Sequence, residues 1–224
     1  MKQKIELLTP AGDFECLIAA IKAGADAVYF GLKEFNMRQR AKNFALSDLP
    51  KIKEICEKNS ARKISRYLTL NTIVYDNELK RIENIIKKSK PFIDAIICSD
   101  IAVMLLCKKN KIPFHVSTQA SVSNIETARF YKKLGASRII LARELNLKQI
   151  KKISKQIPTE IFIHGAMCLA VSGRCLTSQF LFNQSANRGL CIHPCRRFYH
   201  VKDNEGNELV IDNHHIFSAK DLCT

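Results

Sequence analysis

The sequence predicts an α/β fold, a TIM-barrel-like (β/α) barrel that is incomplete at seven strands and is followed by a cysteine-rich segment with a β-hairpin. Three observations carry this. Residues 1–165 alternate between short β-rich runs and helix-period runs, as repeated βα units of a parallel sheet do. The strand runs are almost continuously apolar, which suits parallel strands buried on both faces. From about residue 166 helical periodicity fades, and Gly, Ser, Asn, Arg and Cys become frequent. The chain is therefore divided into a barrel domain, 1–165, and a cysteine-rich metal-binding segment, 166–224. An open doubly wound sheet is the alternative architecture, but no Gly-rich phosphate fingerprint follows any strand.

The expected strands are Ile5–Leu8, Ala27–Phe30, Tyr67–Asn71, Ala95–Cys98, Phe114–Ser117, Arg138–Ala142 and Glu160–Ile163. Asp13 caps a first helix with Phe14, Leu17, Ile18 and Ile21 on one face and Gly24 at its end. Ser47 precedes a helix carrying Leu49, Ile52 and Ile55, and Asn77 one carrying Leu79, Ile82 and Ile86. Asn124 caps a helix ending near Gly135. Asn146 precedes Leu147, Ile150, Ile153 and Ile157, with Pro158 as the stop. Tyr199–Lys202 and Leu209–Ile211 flank a turn at Glu205, Gly206 and Asn207 and read as the hairpin.

The 224 residues, 46% hydrophobic and 25% charged, are those of a globular protein with a sizeable core. No apolar run reaches the roughly 18 residues that span a bilayer, and Met1–Glu6 has no apolar signal core. The expectation is a cytoplasmic protein with no membrane partner. A net charge of +15 favours polyanions such as RNA. The bland reading is that runs such as Lys87-Lys88 and Lys151-Lys152 are the solvated faces of helices.

The ends of the strands are polar: Thr9, Asn71, Ser99-Asp100, Ser117-Thr118-Gln119, Arg143-Glu144 and His164. In a barrel these lie on the C-terminal face, where active sites form. Helix capping accounts for Ser, Asn and Asp there, but not for Gln119, Arg143, Glu144 or His164.

The nine cysteines fall into two groups. Cys16, Cys56, Cys98 and Cys107 stand among apolar residues and read as small core side chains. The others follow the spacing Cys168-x6-Cys175-x15-Cys191-x3-Cys195-x27-Cys223. Thiolates are natural ligands for soft metals and iron–sulfur clusters, and nearby Gly165, Gly173 and Gly189 let a backbone wrap closely. Spacing alone leaves buried thiols, a Cys191–Cys195 redox pair, or a nucleophile activated by His164 or His193 open. The double Cys-x2-Cys knuckle of structural zinc sites is absent.

Three blocks point further. The stretch Glu160–Ser178, with His164, Gly165, Cys168, Gly173, Arg174 and Cys175, closely resembles the signature of the family catalogued as peptidase U32. Asn187–Tyr199, with Arg188, Cys191, His193 and Cys195, resembles its next block, and Ser218–Cys223 its Ser-Lys-Asp-Leu-Cys segment. Leu8–Gly12, Gly24–Tyr29, Ser117–Ala120 and Leu141–Leu145 fit upstream, so the resemblance covers nearly the whole chain. Three departures stand out: no Pro-Gly follows Ser99-Asp100, Arg197 replaces a usual Trp, and residues 59–66 are irregular.

The resemblance implies one of several activities. Members of the family carry collagenase-like protease names. Others take part in prephenate-dependent or oxygen-independent hydroxylation of tRNA wobble uridine to 5-hydroxyuridine, of an rRNA cytidine, or of ubiquinone precursors. It implies a 4Fe–4S cluster on Cys168, Cys175, Cys191 and Cys223, with Cys195 a fifth thiol; zinc is the alternative metal. The expected enzyme acts on RNA, tRNA before rRNA, with Asn71, Gln119, Arg143 and Arg188 binding substrate or a carboxylated donor such as prephenate. Glu144 and His164 are the acid–base pair expected. The alternatives are a U32 peptidase or a non-catalytic iron–sulfur partner. Seven strands leave a parallel edge open, so a second polypeptide completing the barrel is a further expectation.

Overall fold

The computed structural model describes residues 5–58, 62–208, 217 and 221–223, the last three by backbone alone. Seven parallel strands stand in chain order: β1 (Leu8–Pro10), β2 (Ala27–Gly31), β3 (Ser65–Leu70), β4 (Ala95–Cys98), β5 (Phe114–Val116), β6 (Arg138–Ile140) and β7 (Thr159–Glu160). They form a TIM-barrel-like half-barrel. Among the described residues, neither the outer edge of β1 nor that of β7 has a partner strand. The connecting helices are α1 (Phe14–Lys22), α2 (Leu49–Lys58), α3 (Leu79–Ser89), α4 (Ile101–Lys109), α5 (Ile125–Leu134) and α6 (Leu147–Ser154). None of the described helices is long and apolar enough to cross a membrane.

Strand alternation separates two layers. Val28, Phe30, Leu68, Leu70, Ile96, Phe114, Val116 and Ile139 face the helices and build the main core with Leu17, Ile52, Ile82, Ile86 and Met104. The opposite parity, Ala27, Tyr67, Ala95, Ile97 and Ile140, forms a small core inside the half-barrel. That parity also carries Asn71, Ser99 and Ser117 to the C-terminal mouth and Tyr67, His115, Arg138 and Glu160 to the floor.

The caps expected of Asp13, Asn124 and Asn146 are made: their side chains accept from the backbone N–H of Cys16, Thr127 and Gln149. Gly135 ends α5 at φ 112°. Helix α4 was not expected. Its sequence, apolar all round until Lys108, offers no amphipathic stripe to read. The first strand sits later than expected because the Leu7 N–H donates to the Asp26 carboxylate (3.0 Å) instead of joining a ladder. At the other edge only Thr159–Glu160 pairs with β6, and Ile161, Phe162 and Ile163 leave the sheet exposed. Cys56, Cys98 and Cys107 are buried as expected, but Cys16 is exposed on α1.

Beyond the half-barrel, β8 (His164–Ala166) pairs antiparallel with β9 (Asp221–Cys223). A short helix, α7 (Thr177–Phe182), lies within the cysteine segment. Of the hairpin, the Lys202–Glu208 bridge and the turn capped by Asp203 are seen. The strand expected at Leu209–Ile211 lies outside the described residues.

The floor of the half-barrel is polar. Arg138 donates to Glu6 (2.5 Å) and to Glu160 (3.4 Å), and the Tyr67 hydroxyl donates to Glu6 (3.0 Å). His115 packs edge-on against Tyr67 at 4.6 Å; burial, then Arg138, pushes its pKa down to about 3. Burial pushes Glu160 up to about 7, opposed by Arg138 and reinforced by Glu6. A carboxyl whose folded pKa exceeds its unfolded value favours the fold most below the unfolded pKa, and that stability is lost as pH rises through the folded value. Glu160 should therefore lower stability between about pH 4.5 and 7, against the buried neutral His115, which raises it with pH over about 3 to 6.5. Glu160→Gln should remove on the order of 2–3 kcal/mol of that fall, as urea titrations at pH 5 and 8 would read. An unchanged pH slope in the variant would assign the titration elsewhere in the Glu6–Tyr67–His115–Arg138 group.

Candidate functional site

At the C-terminal mouth a cavity of about 180 Å³ is lined by residues that include Asn71, Thr72, Asp100, Gln119, Gly173 and Asn187. Asn71, at the end of β3, accepts from the Met37 N–H at 3.1 Å and points its amide at Ser117 (3.4 Å) and Gln119 (3.5 Å). Ser117 in turn donates to Gln119 Oε1, and Ser99 donates to the Asn71 carbonyl at 3.0 Å. The carboxylate of Asp100 caps α4 through Ala102 N–H (2.9 Å) and also accepts from Val74 N–H (3.3 Å).

The cysteine segment roofs this mouth, and its glycines let it approach. A Cβ on Gly173 (φ 73°) would stand 2.8 Å from Gln119 Cβ, and one on Gly189 (φ 90°) 2.2 Å from the Asn36 carbonyl oxygen. Arg143 holds the loop from β6: its guanidinium donates to Ser172 Oγ (3.1 Å) and to the carbonyls of Cys168 (3.1 Å) and Ala170 (2.8 Å). Arg188 makes a two-pronged ion pair with Glu78 (2.8 and 2.5 Å), donates to the Ile73 carbonyl (2.9 Å) and lies over the Tyr75 ring at 4.2 Å. That pair lowers the Glu78 pKa. Asn187 joins the two parts: its carbonyl accepts from the Ile73 N–H of the barrel at 3.3 Å, and its Oδ1 accepts from the Cys175 N–H at 3.0 Å within the segment.

Four thiols share this roof. The pKa of Cys195 is raised by burial and then by Cys168 and Cys191, with a smaller push from Cys175. Cys191 Sγ receives the His193 N–H (3.4 Å) and the Ser178 hydroxyl (3.9 Å), and the Cys175 thiol meets Thr177 Oγ1 at 3.5 Å. Such donors are what thiolate sulfurs take around a metal. As the described side chains stand, no three His, Cys, Asp or Glu groups are gathered tightly enough to hold a metal ion. The Cys223 side chain lies outside that description. The His193 ring turns to Arg38 (Nε2···Nη1 3.3 Å) rather than to a thiol; burial, then Arg38, Arg196 and Arg40, lower its pKa.

Of the residues expected at the site, Asn71 and Gln119 line the cavity, and Arg143 and Arg188 bind the roof to the barrel. Glu144 is exposed, and His164 lies exposed on β8 opposite Cys223; neither lines the cavity. Asp100 stood among the polar strand ends and was read as a helix cap, which it is, but it also lines the cavity. Met37 and Asn187 were not singled out, because their contacts come from long loops.

A parallel half-barrel whose mouth is roofed by a cysteine-rich loop is the class of protein this structure defines. The model for Peptidase family U32 matches residues 12–224, and the chain belongs to that family. It is 45% identical to a protein named "Collagenase" from Porphyromonas gingivalis, over 98% of this chain and 56% of that protein. It is 39% identical to "tRNA hydroxylation protein P" of Helicobacter pylori, over 98% of this chain and 55% of that protein. The chain thus spans about half the length of these curated relatives. A solved U32 peptidase structure shares the fold, with TM-score 0.57 and 13% identity over 72% of this chain and 70% of that one.

Proposed function

We propose that the chain takes part in RNA hydroxylation, converting a tRNA wobble uridine to 5-hydroxyuridine, with rRNA as the second substrate class. The observation that carries this reading is the similarity to a tRNA hydroxylation protein along 98% of the chain. A small polar cavity at the mouth, lined in part by Gly173 and Asn187 of the cysteine segment, supports it. Cys168, Cys175, Cys191 and Cys223 would hold a 4Fe–4S cluster, a fit that rests on the donor chemistry: soft thiols and N–H and O–H groups aimed at sulfur. When bound, the cluster supplies one-electron chemistry beside the mouth. Asn71 and Gln119 orient the base. Arg143 is first a positioning residue for the loop, since three of its five N–H groups hold it. The remaining two are open to a carboxylated donor such as prephenate. Arg188, paired with Glu78, is a clamp. Acid–base work by Glu144 or His164 requires a substrate that extends beyond the cavity.

The 45% identity to a protein named collagenase favours a second reading, a peptidase. Against a Cys–His pair stands the His193 ring, which faces Arg38. Protein purified without oxygen should be brown and contain iron and acid-labile sulfide. Alanine at Cys168, Cys175, Cys191 or Cys223 should abolish the colour, and Cys195→Ala should weaken it less. Stoichiometric zinc without sulfide would leave only a structural metal site. Deleting the gene should remove a hydroxylated nucleoside from total tRNA or rRNA by mass spectrometry. Unchanged nucleosides with Cys168-dependent peptide cleavage would install the peptidase reading instead.

A further inference from the structure

Several arginines are ion-paired: Arg62 with Asp26 (3.0 Å), Arg66 with Asp94 (3.3 Å) and Arg129 with Glu126 (2.7 Å) on the barrel body, and Arg188 of the cysteine segment with Glu78 (2.5 Å). Arg38, Arg40 and Arg196 are exposed and have no carboxylate partner among the described residues. They are also gathered. Arg38 meets the His193 ring at 3.3 Å, Arg40 stands two residues further along the same loop, and Arg196 closes the turn that starts at His193, its backbone N–H donating to the His193 carbonyl at 3.0 Å. The loop that bears Arg38 and Arg40 interlocks with the cysteine segment where Gly189 rests on Asn36 and Gln39. Met37, the residue before Arg38, lines the mouth cavity.

The cavity beside this patch is polar without being cationic. The Gln119 Nε2 and Asn187 Nδ2 amides have no partner among the described residues and offer N–H donors, while Asp100 contributes the only charged side chain of the lining. A carboxylate there repels an anion. At about 180 Å³ the space is below the roughly 300–1,000 Å³ of sites for larger ligands. It suits one neutral ring whose carbonyl oxygens accept from two amides, as a flipped-out pyrimidine's do.

We propose that the mouth is a seat for single-stranded RNA: a pyrimidine enters the Asn71–Gln119–Asn187 cavity, and the phosphates beside it lie on Arg38, Arg40 and Arg196. This rests on the RNA reading above and adds where the strand lies and which groups hold it. Guanidinium groups match phosphate oxygens in pairs, and each phosphate neutralised on a single strand contributes about 0.7 to the slope of log affinity against log salt.

The test uses the full chain and a fluorescent RNA hairpin with one 4-thiouridine in a uridine-rich loop. Replacing Arg38, Arg40 and Arg196 together by alanine should flatten the salt slope by about 2. Alanine at Lys151 and Lys152, exposed on α6, should leave it nearly unchanged. Ultraviolet cross-links should map to peptides containing Gln119 or Asn187. Equal slope changes in the two variants, or cross-links confined to other peptides, would overturn the seat while leaving RNA binding intact. A wild-type chain that does not bind the hairpin even at low salt would overturn the RNA reading itself, a different result.

Discussion

Arg138→Met should lower the unfolding free energy by about 2–3 kcal/mol, seen as a lower urea midpoint with an unchanged slope. Glu6 lies just before β1 and Glu160 on β7, the two strands at the open edges of the half-barrel. Arg138, reaching in from β6, bonds both. The three side chains are only 20%, 28% and 18% exposed, so the pair is shielded but not dry. Removing the cation leaves two carboxyl groups facing each other on a largely shielded floor. Losing one partner of a buried ion pair costs about 3–5 kcal/mol, and the residual solvent contact places this case at the lower end. Glu6→Gln should cost less, because the Tyr67 hydroxyl still has an oxygen to bond. An Arg138→Met midpoint equal to wild type would mean that the floor contributes no net tie between the edges.

Much of this was legible in the sequence because strand parity and helix caps are local. Asp13, Asn124 and Asn146 marked helix starts through side-chain oxygens that reach only three residues along. The apolar strand runs announced a sheet buried on both faces. Helix α4 was hidden because its apolar residues form no stripe, with Ile101 and Leu105 left exposed. The polar residues at the strand ends pointed to the mouth, yet nothing local shows that Arg188 would find Glu78, 110 positions away, or that Arg143 would hold the Cys168 carbonyl. An arginine in a motif reads as an open fork until its partners are known. The same holds for Glu160, read as the first residue of a strand. Only the register Ile140↔Glu160 puts its carboxyl on the inner face beside Arg138.

The seating of the cysteine roof rests on Gly189, and Gly189→Ala should unseat it. At φ 90° an alanine pays about 1–2 kcal/mol for the left-handed backbone alone. Its Cβ would also stand 2.2 Å from the Asn36 carbonyl oxygen and 2.8 Å from Gln39 Cγ. Gln39 can swing aside, but Asn36 cannot: its own side chain is wedged against Gly31, where a Cβ would meet Asn36 Cγ at 2.5 Å. The loop must therefore lift, carrying Arg188 and Cys191 away from the barrel. Because the main core lies between sheet and helices and includes no residue of this segment, the thermal midpoint of the barrel should move little. Protease should instead cut faster between residues 165 and 200, and anaerobically prepared protein should carry little of the iron that the proposed cluster predicts. Gly206→Ala is the control: its φ is 89°, but nothing lies within 4 Å of the added carbon. That variant bears the backbone strain without the clash and should keep both protection and metal. If Gly189→Ala behaves like Gly206→Ala, the roof is held by Arg143 and Arg188 and not by the close approach at Asn36.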